Sequence, residues 1–458
     1  MHTRPDGRPG RSGGFGWAGG LMRKRIRTSL AVALLFLFLP ALPNLLCLPD
    51  LPVLHALSAQ VPFDQAIKDL ASPEQGTRFH AAQMLKEAAY PEAAIPLAAL
   101  IADPQDAVQV EAIAAELNIF LAEKIVPRKR VAIVVEVRNA VLAESAFSAG
   151  PLAIGARRVP PEVLTALLAG ARDDNSRVGL EALYAFGALA GEPTGAVRQS
   201  MLRASGPSLA AFLGSPDPAM RYAAVRVLGR VFAKRPKDEA IESTVGDAVI
   251  TALNDNDRAV KTAAMAALGA MRYDRGVQAL TDLFQYYGKG ALAEAALDGL
   301  AHIANPASAA LFSGQLAGKN SGLKGMAVEG MARLGDAGKL TEIQTALGGE
   351  RAENLSLAGA FANTMLTNAP IDALGEALTK PRLRNQAKQY LLELAPGRAS
   401  LFSRHLLDPD AHVRADVVDV LGLAGDPAAL GLIEPLLTDR DPDVARAAEH
   451  AVARLRKG

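Results

Sequence analysis

Polar turns and apolar helical blocks alternate along most of this chain, and the blocks repeat. From Ser72 onward the same short pattern keeps returning: a turn with Asp or Pro, an apolar residue followed by a basic one, and a small residue nine positions later. The clearest copy reads Asp408-Pro409-Asp410-Ala411-His412-Val413-Arg414 and runs on to Leu421-Gly422-Leu423-Ala424-Gly425-Asp426-Pro427. With Val413 as marker, equivalents fall at Thr77, Val108, Val178, Met220, Val260, Leu292, Leu323, Leu355, Leu383 and Val444, at intervals of 31, 70, 42, 40, 32, 31, 32, 28, 30 and 31 residues. A period of roughly 30 residues marks helical hairpins that cannot bury their apolar faces singly and must stack. The pattern predicts an all-α fold, an α-solenoid of about eleven to twelve hairpins wound as a right-handed superhelix.

Within a unit, Asp257 is placed to cap a helix whose apolar face holds Val260, Ala263, Ala264, Ala267 and Leu268. Asn175, Asp217, Asp410 and Asp441 stand at the same position. The nine-residue offset yields Gly187, Gly229, Gly269, Ala301, Ala332 and Gly422, small enough for helices to approach closely. Runs such as 276–286 and 428–437 supply the second helix of a hairpin. The basic residue after the marker recurs as Arg78, Arg221, Lys261, Lys324, Arg384 and Arg414. Opposite charges stand at fixed offsets, in turn acids such as Asp103, Asp173, Asp255, Asp408 and Asp439. A structural ladder of ion pairs is therefore expected rather than a binding stripe.

The periodicity divides the chain into a leader over 1–59, N-terminal repeats over 62–123, an irregular insertion over 124–160 and a repeat array over 161–458. The insertion reads as a degenerate hairpin with a loop. Longer intervals place loop extensions near 191–195 and 234–242, and insertions in solenoids often emerge on the binding face. The last helix, with Arg446, Arg454, Arg456 and Lys457, reads as a polar cap.

In the leader, Met22-Arg23-Lys24-Arg25-Ile26-Arg27 precedes an apolar run from Leu30 to Leu39 and a small-residue end at Ala56-Leu57-Ser58-Ala59. This three-part pattern is that of a secretory signal peptide cleaved near Ser58 or Ala59, with Met22 as the start of translation. The expected location is periplasmic or secreted, with membrane contact only through an uncleaved leader. Across the 458 residues, 49 Lys and Arg balance 48 Asp and Glu, so no field draws the chain to nucleic acid. The single cysteine, Cys47, lies in the leader, which leaves the repeats without a thiol nucleophile or cysteine metal site.

The Asp-Pro, Val-Arg, Ala-Leu-Gly and Gly-Asp elements resemble HEAT repeats of the phycobilisome-lyase-like class. That resemblance covers nearly all of residues 62–457 and implies a solenoid, in a class that holds scaffolds, chromophore lyase subunits and a metal hydroxylase. The hydroxylase branch uses His-Glu pairs, and this sequence has only the reverse, Glu449-His450. No cofactor is expected. The favoured reading is a non-enzymatic scaffold that binds a protein partner through its concave face or inter-repeat loops. A lyase-like or other enzyme with a groove between repeats, and a protein binding envelope glycans or anionic polymers, are the alternatives. Candidate partner-binding residues are Tyr286, Tyr287 and Lys289 at a hairpin end, and Arg128, Lys129 and Arg130 in the densest basic cluster.

Overall fold

The marker residues fall where helices begin. In the computed structural model, which describes residues 63–123, 142–190, 204–233 and 239–456, ten of the eleven markers lie in the first turns of helices and Leu383 is the N-cap of another. Among the described residues the regular structure is helical apart from one antiparallel bridge, Leu121 with Ile154. The fold is an α-solenoid. Each marker helix packs on the next, and the intervening helices form a second layer that enters through short 3₁₀ turns such as Asp274–Gly276 and Pro427–Ala429. The expected caps are made: Asp257 accepts from the amides of Ala259 and Val260, Asn175 from Arg177, Asp217 from Ala219, Asp410 from His412 and Asp441 from Asp443. None of the described helices is long and apolar enough to cross a membrane.

The marker layer faces inward. Arg333 on the Ser321–Leu334 helix reaches Glu393 on Arg384–Leu394 at 2.8 Å, passing over Phe361 of the intervening Glu353–Thr367 helix. Helices two apart can touch only on the concave side of a curved stack.

Close stacking follows from the small residue at offset nine. A Cβ on Gly229 would lie 3.1 Å from the Cα of Ala267, one on Gly269 would lie 3.0 Å from the Cα of Gly299, and one on Gly422 would lie 2.9 Å from the Cα of Ala451. In each case the partner stands at offset seven of the next marker helix, so one backbone rests directly against the next.

The second register element is an arginine rung. Arg78 binds both oxygens of Asp103, Arg221 those of Asp255 and Arg414 those of Asp439, at 2.6 to 2.9 Å. Each Nη1 also donates to two carbonyls of its own turn, those of Ser72 and Pro73, Ser215 and Pro216, or Asp408 and Pro409. The aspartate in turn accepts from an amide two residues on, as Asp255 does from Asp257. Thus one guanidinium ties its own turn to the turn of the next unit. Gln109 substitutes in the second unit, donating to Asp173 at 2.8 Å, and Lys324 reaches Glu350 at 2.6 Å. Two expected rungs are absent. Arg384 turns inward to Asp416 on the next marker helix, because its own helix begins at the residue after the marker, and Lys261 has no such pair among the described residues.

The described part of the insertion, 142–160, is not a projecting loop. Its helix Leu142–Ala149 lies on the inner face of the Ser176–Leu189 helix, with Ala143 and Ala146 fully buried. The turn after it is bound by the second unit, where Ala122 donates to Ala153 at 2.8 Å and Gly155 donates to Phe120 at 2.7 Å. The last helix, Pro442–Leu455, reaches the same turn: Arg454 donates to the carbonyls of Pro151, Leu152 and Ile154. Arg454 is therefore not part of a solvent-facing cap, as its sequence position suggested, whereas Arg446 and Arg456 are half exposed in surface ion pairs. The leader, most of both loop extensions and Lys457 lie outside the described residues.

Two stability tests follow. Gly269→Val forces a side chain against the Gly299 backbone and should cost about 1–3 kcal/mol in thermal unfolding. Gly431→Ala, at a helical site with nothing within 4 Å, should be neutral or mildly stabilising. The Asp439 carboxyl is held below its usual range first by the hydrogen bonds from Arg414. The rung's contribution is thus complete above about pH 4 and is lost as pH falls through the depressed folded value. Asp439→Asn should melt several degrees lower than the natural chain at neutral pH, and the two curves should converge on acidification. An offset unchanged down to about pH 3 would show that charge contributes nothing to the rung.

Candidate functional site

The inner face is built from marker-helix residues at offsets three, six and ten, and in the third unit these are covered by the chain's own Leu142–Ala149 helix. That helix is held as a ligand would be. The Ala143 amide donates to Glu181 at 3.1 Å, Glu144 stands 3.6 Å from Arg226, and the Phe147 carbonyl accepts from Arg230 at 2.6 Å. The Phe147 ring lies under both guanidiniums, 4.9 Å from Arg226 and 4.8 Å from Arg230. Tyr222 and Tyr184 complete an aromatic surround of Arg226 at 5.2 and 5.8 Å. Such contacts add to the ion pair because the ring faces are electron-rich. Burial, with Glu144 nearby, pushes the Tyr184 hydroxyl up to about 12, so it stays neutral.

One unit further on, nothing among the described residues covers the inner face. A groove of about 760 Å³ runs between the Pro218–Ala233 and Arg258–Met271 helices, bordered by Phe147 beneath Arg226 and Arg230. Its floor is made of small residues: Gly229, Ala259, Ala263, Ala266 and Ala270, with Thr262 beside them. Arg226, Arg230 and Arg258 are its charged walls. The floor alanines follow helical spacing, which places them in one row, and Ala259, Thr262 and Ala266 are open to solvent. Among the described residues no carboxylate lines the groove.

A second anomaly lies in the core. Offset eight is a large apolar side chain in most units, as at Leu85, Phe186, Leu228, Leu268, Leu300 and Leu421, all buried. In the Asp106–Phe120 helix this position is Glu116, fully buried, and neither carboxyl oxygen has a hydrogen-bond partner among the described residues. Desolvation pushes its carboxyl up to about 9, so it is neutral at pH 7. In the same helix Leu117 stands where most other units have glycine or alanine, and the irregular insertion follows this unit.

Of the sequence-predicted residues, Tyr286 and Tyr287 end the second-layer helix Val277–Tyr287. Tyr286 is 81% exposed, while Tyr287 is half-buried against the core and meets the Tyr286 ring edge-on at 5.1 Å. Lys289 is exposed in the turn beyond Gly288. This cluster belongs to the outer layer, whereas the groove belongs to the inner one. Arg128, Lys129 and Arg130 lie outside the described residues. The sequence reading missed Arg226, Arg230 and the alanine row. A signal was available: among neighbouring units only that of Val260 carries alanine at all three of offsets three, six and ten, as Ala263, Ala266 and Ala270. Among the described residues no group of three or more His, Cys, Asp or Glu side chains is placed to hold a metal.

A family model described as HEAT repeats matches residues 206–286, the stretch that contains both groove helices. No curated protein sequence matches the chain. Among solved structures, an engineered protein is 19% identical with a TM-score of 0.42, covering 86% of this chain and 99% of that one. Kap95p, in a complex with RanGDP, is 14% identical with a TM-score of 0.38 over 87% of this chain and 56% of its own. A structure from work on cadherin and β-catenin is 13% identical with a TM-score of 0.39, covering 86% and 91%.

Glu116 gives the second unit a testable pH signature. A carboxyl with its folded value raised above the unfolded value of about 4.3 destabilises the fold progressively as pH rises between the two values. The natural chain should therefore lose stability between about pH 4.5 and pH 9, on the order of several kcal/mol. Glu116→Leu, which restores the residue type of other units, should remove that slope. Chemical denaturation across this pH range measures it, and parallel curves for the two proteins would contradict the assignment.

Proposed function

We propose that this protein is a non-enzymatic scaffold that acts outside the cytoplasm and binds a segment of a protein partner on its inner face. The groove beside Phe147 carries the reading. It is a continuous row of small residues flanked by arginines, adjoining a place where the same inner face holds a helix of this chain by ion pair, ring stacking and carbonyl capture. Recognition of that kind needs rigid positioning, which a stacked array provides. Export rests on the leader pattern from Met22 to Ala59, which also predicts a mature chain beginning near residue 59 or 60.

Two measurements test this. Sequencing the mature N-terminus should give a start just after Ser58 or Ala59, and a peptide from residues 2–20 in cells would remove Met22 as the start. Proximity labelling from the C-terminus should return a reproducible set of extracytoplasmic proteins. An absence of reproducible neighbours, or substrate turnover by purified metal-free protein, would overturn the scaffold reading.

A further inference from the structure

The open groove states more about its occupant than that it is a protein. Three constraints act together. The row of Ala259, Ala263, Ala266 and Ala270, with Gly229 opposite, lets a neighbouring backbone come close, as Gly229 itself lets Ala267. The walls are inner faces of helices whose backbone groups are already bonded internally, so they offer no free edge to an extended strand. A helix brings its own hydrogen bonds and avoids that cost. Finally, the charge is of one sign. Among the described lining residues the charged side chains are Arg226, Arg230 and Arg258, with no carboxylate; Arg226 and Arg230 already hold the Leu142–Ala149 helix, and Arg258 is exposed without an ion pair among the described residues.

The chain's own helix supplies the template for what satisfies such arginines. In Leu142–Ala149 one turn places Glu144 and Phe147 on the face that meets Arg226. Ser148 also accepts from that guanidinium, at 3.3 Å.

We propose that the groove between the Pro218–Ala233 and Arg258–Met271 helices receives a partner's amphipathic helix with a small-residue apolar face and acidic flanks, lying beside Phe147. This rests on the scaffold reading and gives it a chemical class of partner. An acyl carboxylate shares the charge and the apolar body, but the floor is open to solvent at Ala259, Thr262 and Ala266, so the groove does not enclose a chain.

The test uses the full mature chain and a pair of fluorescent helical peptides with the same Ala/Leu face, one with glutamates on its flanks and one with lysines. The acidic peptide should bind at least tenfold more tightly, and more weakly as salt is raised. Ala266→Arg, which fills an exposed floor position, should abolish binding of the acidic peptide. Arg258→Glu should weaken the acidic peptide fivefold or more and strengthen the basic one, and serves alone if Ala266→Arg does not fold by circular dichroism. Equal affinity of the two peptides, acidic-peptide binding indifferent to both substitutions, or stoichiometric displacement by decanoate would overturn the proposal. Proximity labelling with Ala266→Arg separates the two levels. Neighbours retained in full leave the scaffold reading standing without this groove, whereas no neighbours for either protein would remove both.

Discussion

The arginine that follows the marker residue in three units fixes the geometry on which the rest depends. A guanidinium presents a planar fork of donors, and here two of its edges are used at once, one on the carbonyls of its own turn and one on both oxygens of the next unit's aspartate. That aspartate also orders the turn that carries the next cap. Angle and distance between units are thus set by covalent planarity rather than by apolar packing alone, which tolerates sliding. In two units where the arginine is replaced, the neutral Gln109 and the lysine Lys324 span the same gap with fewer bonds.

Rungs fix the turns, and glycines fix the spacing of the helices. Together they yield a tightly curved stack, as the bond from Arg333 to Glu393 across Phe361 records. A tightly curved inner face must either be wetted or filled. This chain fills part of it with its own 142–154 segment, tied to the second, third and fourth units and held by Arg454 from the last. A repeat array ordinarily joins each unit only to its neighbours. Here a contact 300 residues apart in sequence links the last unit to the segment inserted between the second and third, so units far apart along the stack stabilise one another. The groove is what the filling leaves open.

Much of this was legible in the sequence because stacking forces a repeat to show itself at fixed intervals. Caps at Asp257 and Asp441, the glycine contacts, and rungs at Arg78, Arg221 and Arg414 all stand at positions that the period identifies. Misassignments arose where a residue keeps its place in the period but changes its partner. Arg384 sits one helical turn earlier in its helix than Arg414 does and so points to Asp416. Arg454 looks like an end cap because no local pattern announces the 151–154 carbonyls. Glu116 was hidden within an apolar run, although aligning it with Leu268 exposes it as a carboxylic acid in a leucine's place.

The sequence by itself determined the class of fold, the unit boundaries and the local chemistry of each turn, because those follow from interactions between residues at most one repeat apart. Only the tertiary structure decided what the insertion does, which inner positions stay open and which arginines are already engaged. These depend on how curvature accumulated over many units brings distant segments together. No short-range pattern encodes that sum. Arg226 and Ala266 occupy the same offset in successive units, yet one is wrapped by a helix from elsewhere in the chain and the other lies open to solvent.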